Sequence, residues 1–173
     1  IASLTIVRNQ ILRYGIAHER QETILAGPKH LKLERQLCFA VYSAAHAFNR
    51  FYKPLLTRLG LTYPQYLVML VLWEQDGILV KDIGARLYLD SGTLTPLLKR
   101  LEANGLVARN RDPHDERQVR ISLSAAGRSL RNTAQAIPAQ VVSASGRPGD
   151  DLGCLRGQLA TVRDDLFRSM DGA

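Results

Sequence analysis

The sequence is poor in cysteine and has no long run of apolar residues. Its two cysteines, Cys38 and Cys154, stand far apart, so a small scaffold held together by disulfides is excluded. A membrane-spanning helix needs about 20 consecutive apolar residues, and no run approaches that length. Two isolated thiols without a signal-type apolar segment indicate a reducing compartment, and the expected location is the cytoplasm.

Histidine is also sparse. The four histidines, at positions 18, 30, 46 and 114, are scattered along the chain. Neither a metal site nor a cofactor is therefore expected. The sequence also lacks paired cysteines at redox spacing and an assignable Ser/His/Asp arrangement, which argues against a thiol peroxidase or any other enzyme.

The charge that is present is mainly positive. Lysine and arginine total 23 against 16 acidic residues, which gives a net charge of +7 and a pI of about 9.8. Such a surplus favours an anionic partner such as DNA, RNA or a membrane surface. The composition, 46% hydrophobic over 173 residues, is sufficient for one packed domain with appendages.

Two parts of the N-terminal region differ in pattern. Residues 1–32 are interpreted as an N-terminal appendage of unassigned role. Gly27-Pro28, close to the end of this segment, is typical of a break in secondary structure. From Leu33 to Gly60, apolar residues recur every three or four positions, which predicts a long amphipathic helix that stops at the glycine.

The middle of the chain, residues 62–123, has the order of a helix-turn-helix followed by a wing. Thr62 and Gln65 form a capping box that opens a helix. A short strand, two helices and a β-hairpin follow. Asp90 or Ser91 caps the second of these two helices. The residues of that helix predicted to face the core are Leu94, Leu97, Leu98 and Leu101.

That second helix and the hairpin carry the candidate DNA contacts. A helix fits the major groove, and a basic hairpin beside it can reach phosphate or the minor groove. The candidate contacts on the helix are Ser91, Thr93, Thr95, Pro96 and Lys99. Those on the hairpin are Arg109, Arg111, His114 and Arg117, with Arg120 nearby. Asp112, Asp115 and Glu116 either dilute this charge or fix the arginines by pairing. The alternative is a small domain with ordinary solvated charges.

The C-terminal region, residues 124–173, is predicted to be helical. Ser124 caps one helix that meets Pro138, and a final helix runs from Leu152 to Phe167. Its single apolar face consists of Leu155, Leu159, Val162 and Leu166. The predicted fold class is α+β, mainly α: a winged helix-turn-helix with flanking helices.

Several motifs resemble the MarR superfamily of transcription regulators. They are Leu97–Val107, Arg111–Arg117 and Leu123–Gly127. The resemblance implies a winged-helix fold and a homodimer that binds a palindromic operator in double-stranded DNA. It assigns residues 33–61 and 124–173 to dimerisation and residues 62–123 to DNA binding. The amphipathic helices suit that role, because each would otherwise expose an apolar stripe.

Two further segments, Gln36–Ser43 and Leu59–Glu74, are similar to the organic hydroperoxide sensors of that superfamily, the OhrR branch. The resemblance places the redox-sensing thiol at Cys38 and the tyrosines that stabilise it at Tyr42, Tyr52 and Tyr63. In the family, the residues matching Tyr52 and Tyr63 come from the partner subunit.

The chemistry of these residue types agrees with the resemblance. Peroxides oxidise a thiolate to a sulfenic acid, and tyrosine hydroxyls are neutral donors that can stabilise the thiolate. Spacing alone would favour a buried structural cysteine and ordinary interface aromatics. In some members of the family a second cysteine near the C-terminus of the partner subunit forms a disulfide with the sensing thiol. The resemblance therefore makes Cys154 the candidate resolving thiol, although Ser143 stands nearer the family's usual position. The alternative is capping of Cys38 by a small thiol.

The predicted function is a DNA-binding transcription repressor that releases its operator when organic hydroperoxide oxidises Cys38. The alternative is a MarR-type repressor that a small aromatic ligand releases without cysteine oxidation. Partners are the operator DNA, a second copy of the chain and the hydroperoxide effector, with no membrane.

Overall fold

The computed structural model describes residues 31–172, so most of the predicted N-terminal appendage, residues 1–30, lies outside the described residues. A 3₁₀ turn, Leu33–Arg35, precedes the first α-helix. The α-helices are α1 (Leu37–Thr57), α2 (Tyr63–Glu74), α3 (Val80–Leu87), α4 (Ser91–Ala103), α5 (Ala125–Ala134), α6 (Ile137–Ser145) and α7 (Gly149–Asp171). The strands are β1 (Ile78–Leu79), β2 (Val107–Arg111) and β3 (Val119–Leu123).

The three strands form one antiparallel sheet in the order β1-β3-β2. Ile121 of β3 lies opposite Ile78 on one side and opposite Arg109 on the other. The hairpin of β2 and β3 follows α4 directly, so α3, α4 and the hairpin form a winged helix-turn-helix. The predicted fold class is confirmed.

The chain divides into two compact units between Phe48 and Asn49. The described part of the first unit is the 3₁₀ turn and the first half of α1, where Leu37, Val41 and Phe48 are exposed. The second unit contains the rest of α1 and every later element. The predicted domain boundaries at residues 61 and 123 stay a prediction.

The core of the second unit surrounds α2. This helix is apolar around most of its circumference, as expected for a central helix. Its first turn is closed as predicted, because the backbone N–H of Thr62 donates to Gln65 Oε1 at 2.8 Å. The fully buried residues around it are Leu56, Val68, Met69, Leu72, Ile83, Leu94, Leu98, Leu101 and Ile121.

The helical part after the hairpin differs from the sequence prediction. Instead of one helix meeting Pro138, α5 ends at Ala134 and α6 begins at Ile137. Pro138 is the second residue of α6, a position where the missing N–H costs nothing. The last helix is longer than predicted, because it begins at Gly149 with Asp150 and Asp151 in the first turn, where carboxylates oppose the helix dipole. Along residues 31–172, no helix combines the length and hydrophobicity needed to cross a membrane.

Gly127 packs α5 against the segment that joins α4 to β2. The indole of Trp73 donates to the Gly127 carbonyl at 2.9 Å, and the Gly127 N–H donates to the capping hydroxyl of Ser124 at 2.9 Å. A Cβ atom at this position would lie 2.1 Å from the backbone carbonyl oxygen of Leu106. The backbones of the two segments can approach this closely only because residue 127 has no side chain.

A Gly127→Ala variant is therefore expected to be less stable. The added methyl group must displace the Leu106 backbone, and overpacking of this kind lowers the free energy of unfolding by about 1–3 kcal/mol. Urea unfolding monitored by Trp73 fluorescence measures the change. Ser129→Ala, an exposed substitution on the same helix, serves as control, and equal stability of the two variants would contradict the packing described.

Candidate nucleic-acid interface and thiol site

The recognition helix α4 begins at a well-defined cap. Of the two candidate caps, the structure selects Asp90, whose carboxylate accepts the Thr93 N–H at 2.8 Å and the Thr93 hydroxyl at 2.9 Å. The hydrogen bonds from Thr93 hold the pKa of the Asp90 carboxyl below its usual range. Thr93, predicted as a DNA contact, thus contributes to the cap in this structure.

The two faces of α4 separate apolar from polar residues. Leu94, Leu98 and Leu101 are buried as predicted, whereas Leu97 is only half-buried, so its assignment to the core was wrong in part. Ser91, Pro96 and Lys99 are exposed, and Thr95 is half-buried. The outer face therefore carries small and polar residues together with the Lys99 cation, which suits close approach to a base edge.

The wing carries its cations at different depths. Arg111, His114 and Arg117 are exposed on the hairpin. Arg109 is half-buried, and its guanidinium lies 3.8 Å from the Glu102 carboxylate of α4. Three of the four predicted hairpin contacts are thus accessible to an approaching phosphate.

Asp112 is the buried anchor of this wing. Its residue is only 4% exposed, and Oδ1 accepts the N–H groups of His114 at 2.9 Å and Asp115 at 3.2 Å. Oδ2 accepts Nε of Arg120 at 3.0 Å, and Arg120 also donates to the carbonyl of Gly77. The His114 amide and the Arg120 side chain hold the pKa of the Asp112 carboxyl below its usual range.

This network decides between the two roles that the sequence left open for the acidic residues. Asp112 pairs with an arginine, and the Arg120 side chain joins it to the carbonyl of Gly77 within the wing. Asp115 instead holds the backbone of the turn, because it accepts the Gln118 side-chain amide at 2.9 Å and the Arg117 backbone N–H at 3.1 Å. The turn is therefore held by its own side chains.

A cleft of about 480 Å³ lies between α3, α4 and the hairpin. Its polar lining consists of Lys81, Ser91, Thr95, Arg109, Arg117 and Gln118. Cations from α3 and from the wing thus converge beside the start of α4. The sequence did not indicate Lys81 or Gln118, because their place in the cleft depends on how the hairpin folds back over α3.

The predicted thiol-site residues lie in both units. In the first unit, Cys38 is the second residue of α1 and is exposed, and Tyr42 follows one helical turn later with its ring 4.4 Å from that of His46. In the second unit, the rings of Tyr52 and Tyr63 lie 4.8 Å apart. The structure thus brings together two of the tyrosines that the sequence assigned to one site.

Tyr66 extends the tyrosine pair. Its ring lies 5.9 Å from that of Tyr52. The sequence analysis missed it, although its spacing of three residues from Tyr63 on a helix was a usable signal. Burial raises the pKa of Tyr52 to about 12, with smaller contributions from Tyr63 and Tyr66. Burial also raises the pKa of Tyr63 and of Tyr66, so all three are neutral hydroxyl donors at neutral pH.

Alkaline titration is expected to show late ionisation of the clustered tyrosines, with the last step at Tyr52. The raised pKa means that stability is unaffected below the ordinary tyrosine value of 10 and is lost as the pH rises from there through about 12. Absorbance at about 295 nm follows tyrosinate formation, and the late step should be missing in Tyr52→Phe. A Tyr52→Phe chain with an unchanged titration curve would contradict the assignment.

Cys154 is exposed on α7, and neither cysteine forms a disulfide in this structure. Among residues 31–172, no three histidine, cysteine or acidic side chains are grouped so that they could hold a metal ion.

Comparison with known proteins shows what kind of molecule carries this arrangement. The chain is 58% identical over 134 residues to the HTH-type transcriptional regulator TtmR of Methylorubrum extorquens (strain PA1), covering 78% of this chain and 69% of that protein. It is 48% identical over 139 residues to the organic hydroperoxide resistance transcriptional regulator of Bacillus subtilis (strain 168), covering 80% and 95% respectively. A family model for the transcriptional regulator SarA/Rot matches residues 50–133.

Solved structures give the same result. AbfR of Staphylococcus epidermidis superposes with a TM-score of 0.68 at 36% identity, covering 81% of this chain and 97% of that one. AbfR has also been solved in the reduced form bound to DNA, with a TM-score of 0.65 at 37% identity, covering 80% and 97%. A disulfide form of AbfR gives a TM-score of 0.56 at 35% identity, covering 84% and 98%.

Fold and relatives together define a winged-helix transcriptional regulator. More narrowly, the chain belongs to the MarR family, and the organic hydroperoxide resistance regulator is among its relatives. The prediction that it is not an enzyme is confirmed, because the family consists of transcriptional regulators.

Proposed function

We propose that this regulator is a repressor that leaves its operator when an organic hydroperoxide oxidises Cys38. The observation that carries the proposal is the exposed Cys38 thiol, one helical turn before Tyr42, on an amphipathic helix whose apolar residues the single chain leaves exposed. A thiol in that position is accessible to a peroxide and lies on a surface suited to a subunit boundary.

DNA binding rests on α4 and the wing. The outer face of α4 is small and polar, Arg111 and Arg117 are exposed on the hairpin, and Lys81 lies in the cleft beside them. This arrangement suits a helix in the major groove with arginines on the flanking phosphates. The DNA complex of the related AbfR supports the proposal. The relatives of this chain are bacterial regulators. Since bacterial DNA lies in the cytoplasm, the protein would act there.

Dimerisation rests on the exposed apolar side chains of the flanking helices. Leu37, Val41 and Phe48 are exposed on α1, and Leu155, Leu159, Val162 and Leu166 are exposed on α7. Stripes of this kind mark interaction surfaces in proteins that are otherwise well packed. A second copy of the chain would cover these apolar side chains, in an interface formed by residues 33–61 and 124–173 of both protomers. The resulting twofold symmetry would match a palindromic operator.

The chemical step is a two-electron oxidation of sulfur. The Cys38 thiolate attacks one oxygen of the hydroperoxide, the O–O bond breaks, and an S–O bond forms. The sulfur becomes a sulfenic acid, and the alkoxide leaves with a proton as the alcohol. The sulfenic acid then condenses with the Cys154 thiol of a partner, or with a small thiol, to give a disulfide and water. The disulfide form of AbfR supports the first route.

Oxidation would act on the distance between the two recognition helices. The tyrosine hydroxyls that stabilise the thiolate lose their partner when the sulfur is oxidised, and the boundary between subunits repacks. Rigid-body movement of the winged units would then break the match to the two half-sites.

A DNA-release experiment tests the proposal. Duplexes that bind the reduced protein are first selected from a random pool, and fluorescence polarisation then follows the bound fraction. Stoichiometric cumene hydroperoxide should weaken binding about 5- to 150-fold, and dithiothreitol should restore it. Salicylate should have no effect, and the protein should consume one equivalent of peroxide without turnover. Release by salicylate alone would favour the aromatic-ligand alternative instead.

The two routes after the sulfenic acid are separated by non-reducing gel electrophoresis. Peroxide should produce a cross-linked dimer, and Cys154→Ser should abolish it. If the cross-link is missing in the natural chain while DNA release persists, a small thiol caps Cys38.

A further inference from the structure

Tyr88 has an unusual backbone conformation. It ends α3 with φ 55° and ψ 39°, in the left-handed region, and it is the one non-glycine residue with positive φ among residues 31–172. Glycine or asparagine is the usual residue at such a helix end. A large aromatic side chain persists in this conformation only where the surrounding structure stabilises it.

The ring of Tyr88 contacts the last helix. It is stacked on Phe167 of α7, with ring centres 5.3 Å apart and planes 13° apart. The guanidinium carbon of Arg163 lies 4.4 Å from the centre of the same ring. Arg163 and Phe167 are four residues apart and therefore share one face of α7. Nε of Arg163 also donates to Asp164 at 2.8 Å, which restricts the guanidinium.

The contact between Tyr88 and α7 is connected to the recognition helix α4 by the short turn between α3 and α4. Two residues after Tyr88, Asp90 caps α4 through its hydrogen bonds to Thr93. The turn between the two helices has no spare room, because a Cβ atom at Gly84 would lie 2.8 Å from the Leu89 carbonyl oxygen. Movement of the ring with α7 would therefore move the turn and the start of α4 with it.

We propose that Tyr88 is a positioning residue for DNA recognition: its contacts with Phe167 and Arg163 join α7 to the helix-turn-helix and fix the orientation of α4 relative to the partner's α4. This proposal rests on the proposed function, since it presupposes a dimer on two half-sites. α7 carries an exposed apolar stripe on its other positions, so the same helix would bind the partner and hold the recognition helix.

Half-site spacing is the readout that tests this role. Inserting one base pair between two inverted half-sites rotates one half-site relative to the other. The natural chain should bind its selected spacing on the order of 10-fold more tightly than a spacing changed by one base pair. Tyr88→Gly, Phe167→Leu and Arg163→Gln should each bring that ratio close to one. Binding to a duplex with a single half-site should stay unchanged.

The Tyr88→Gly variant separates positioning from local structure. Glycine adopts a φ of 55° readily, so a merely local role predicts equal or higher thermal stability and an unchanged spacing ratio. The positioning role predicts a lost ratio in a chain that remains folded. Combining Tyr88→Gly with Phe167→Leu should cause no further loss, because both remove the same contact.

Controls keep the outcomes distinct. Arg156→Gln removes the same charge elsewhere on α7 and should retain the spacing ratio. Arg163→Gln changes a surface side chain, so it tests the proposal even if the other variants unfold. Unchanged ratios in Tyr88→Gly and Arg163→Gln would overturn the positioning role while leaving the proposed function intact. If the natural chain selects no DNA at all, the proposed function itself fails.

Discussion

A Cys38→Ser chain is expected to bind its selected DNA as tightly as the natural chain and to remain bound after exposure to cumene hydroperoxide. Cys38 is exposed, so replacing its sulfur with oxygen should change the free energy of unfolding by less than about 0.5 kcal/mol. A serine hydroxyl is not oxidised by peroxide. The oxidation-dependent loss of affinity, about 5- to 150-fold in the natural chain, should therefore disappear.

Cys154→Ser is the matched control for this experiment. It makes the same thiol-to-hydroxyl change at the other exposed cysteine. Under the proposal, Cys154→Ser still forms the sulfenic acid at Cys38, which a dimedone adduct at that residue detects by mass spectrometry. If Cys38→Ser still left DNA on peroxide treatment and Cys154→Ser did not, the sensing thiol would be Cys154, and the role given to Cys38 would be wrong.

The parts of the fold that the sequence predicted are those decided by short-range interactions. The capping box joins Thr62 to Gln65 within one turn, and the alternation in β3 requires only neighbouring residues. The break between α5 and α6 was missed because Pro138 is compatible with either the end of one helix or the first turn of the next.

The parts of the site that the sequence could not predict depend on long-range contacts. The carbonyl of Gly77 accepts a hydrogen bond from Arg120, and the ring of Phe167 stacks on Tyr88. Each pair joins residues far apart along the chain, so no spacing rule connects them. Cys38 and Tyr42 could be proposed for the thiol site because a motif contains them, and that role stays a prediction. The role of Asp112 was left between two alternatives until its partners were known.

The second large effect is expected at Asp112. Asp112→Asn keeps an oxygen that can accept the His114 N–H but loses the charge that pairs with Arg120. The buried anchor is lost, and the turn that presents Arg111 and Arg117 is no longer held in place. If Arg111 and Arg117 lose their phosphate contacts in both protomers, four contacts are lost, and the slope of log affinity against log salt concentration should fall by about 4. Binding should weaken for all DNA sequences alike.

Glu116→Gln distinguishes this structural effect from simple electrostatics. Both substitutions remove one negative charge from the same basic turn, and charge alone predicts that both strengthen binding to DNA. Glu116 is exposed, whereas Asp112 is buried and hydrogen-bonded. The structure therefore predicts opposite results: unchanged or tighter binding for Glu116→Gln, and weaker binding with a reduced salt slope for Asp112→Asn. Tighter binding by both variants would mean that the wing contributes only its net charge and not a fixed turn geometry.

The pKa of Asp112 is lowered, so its contribution to the stability of the turn is lost only as the pH falls below the ordinary carboxyl range. The difference in DNA binding between Asp112→Asn and Glu116→Gln should therefore be the same at about pH 5 and pH 7.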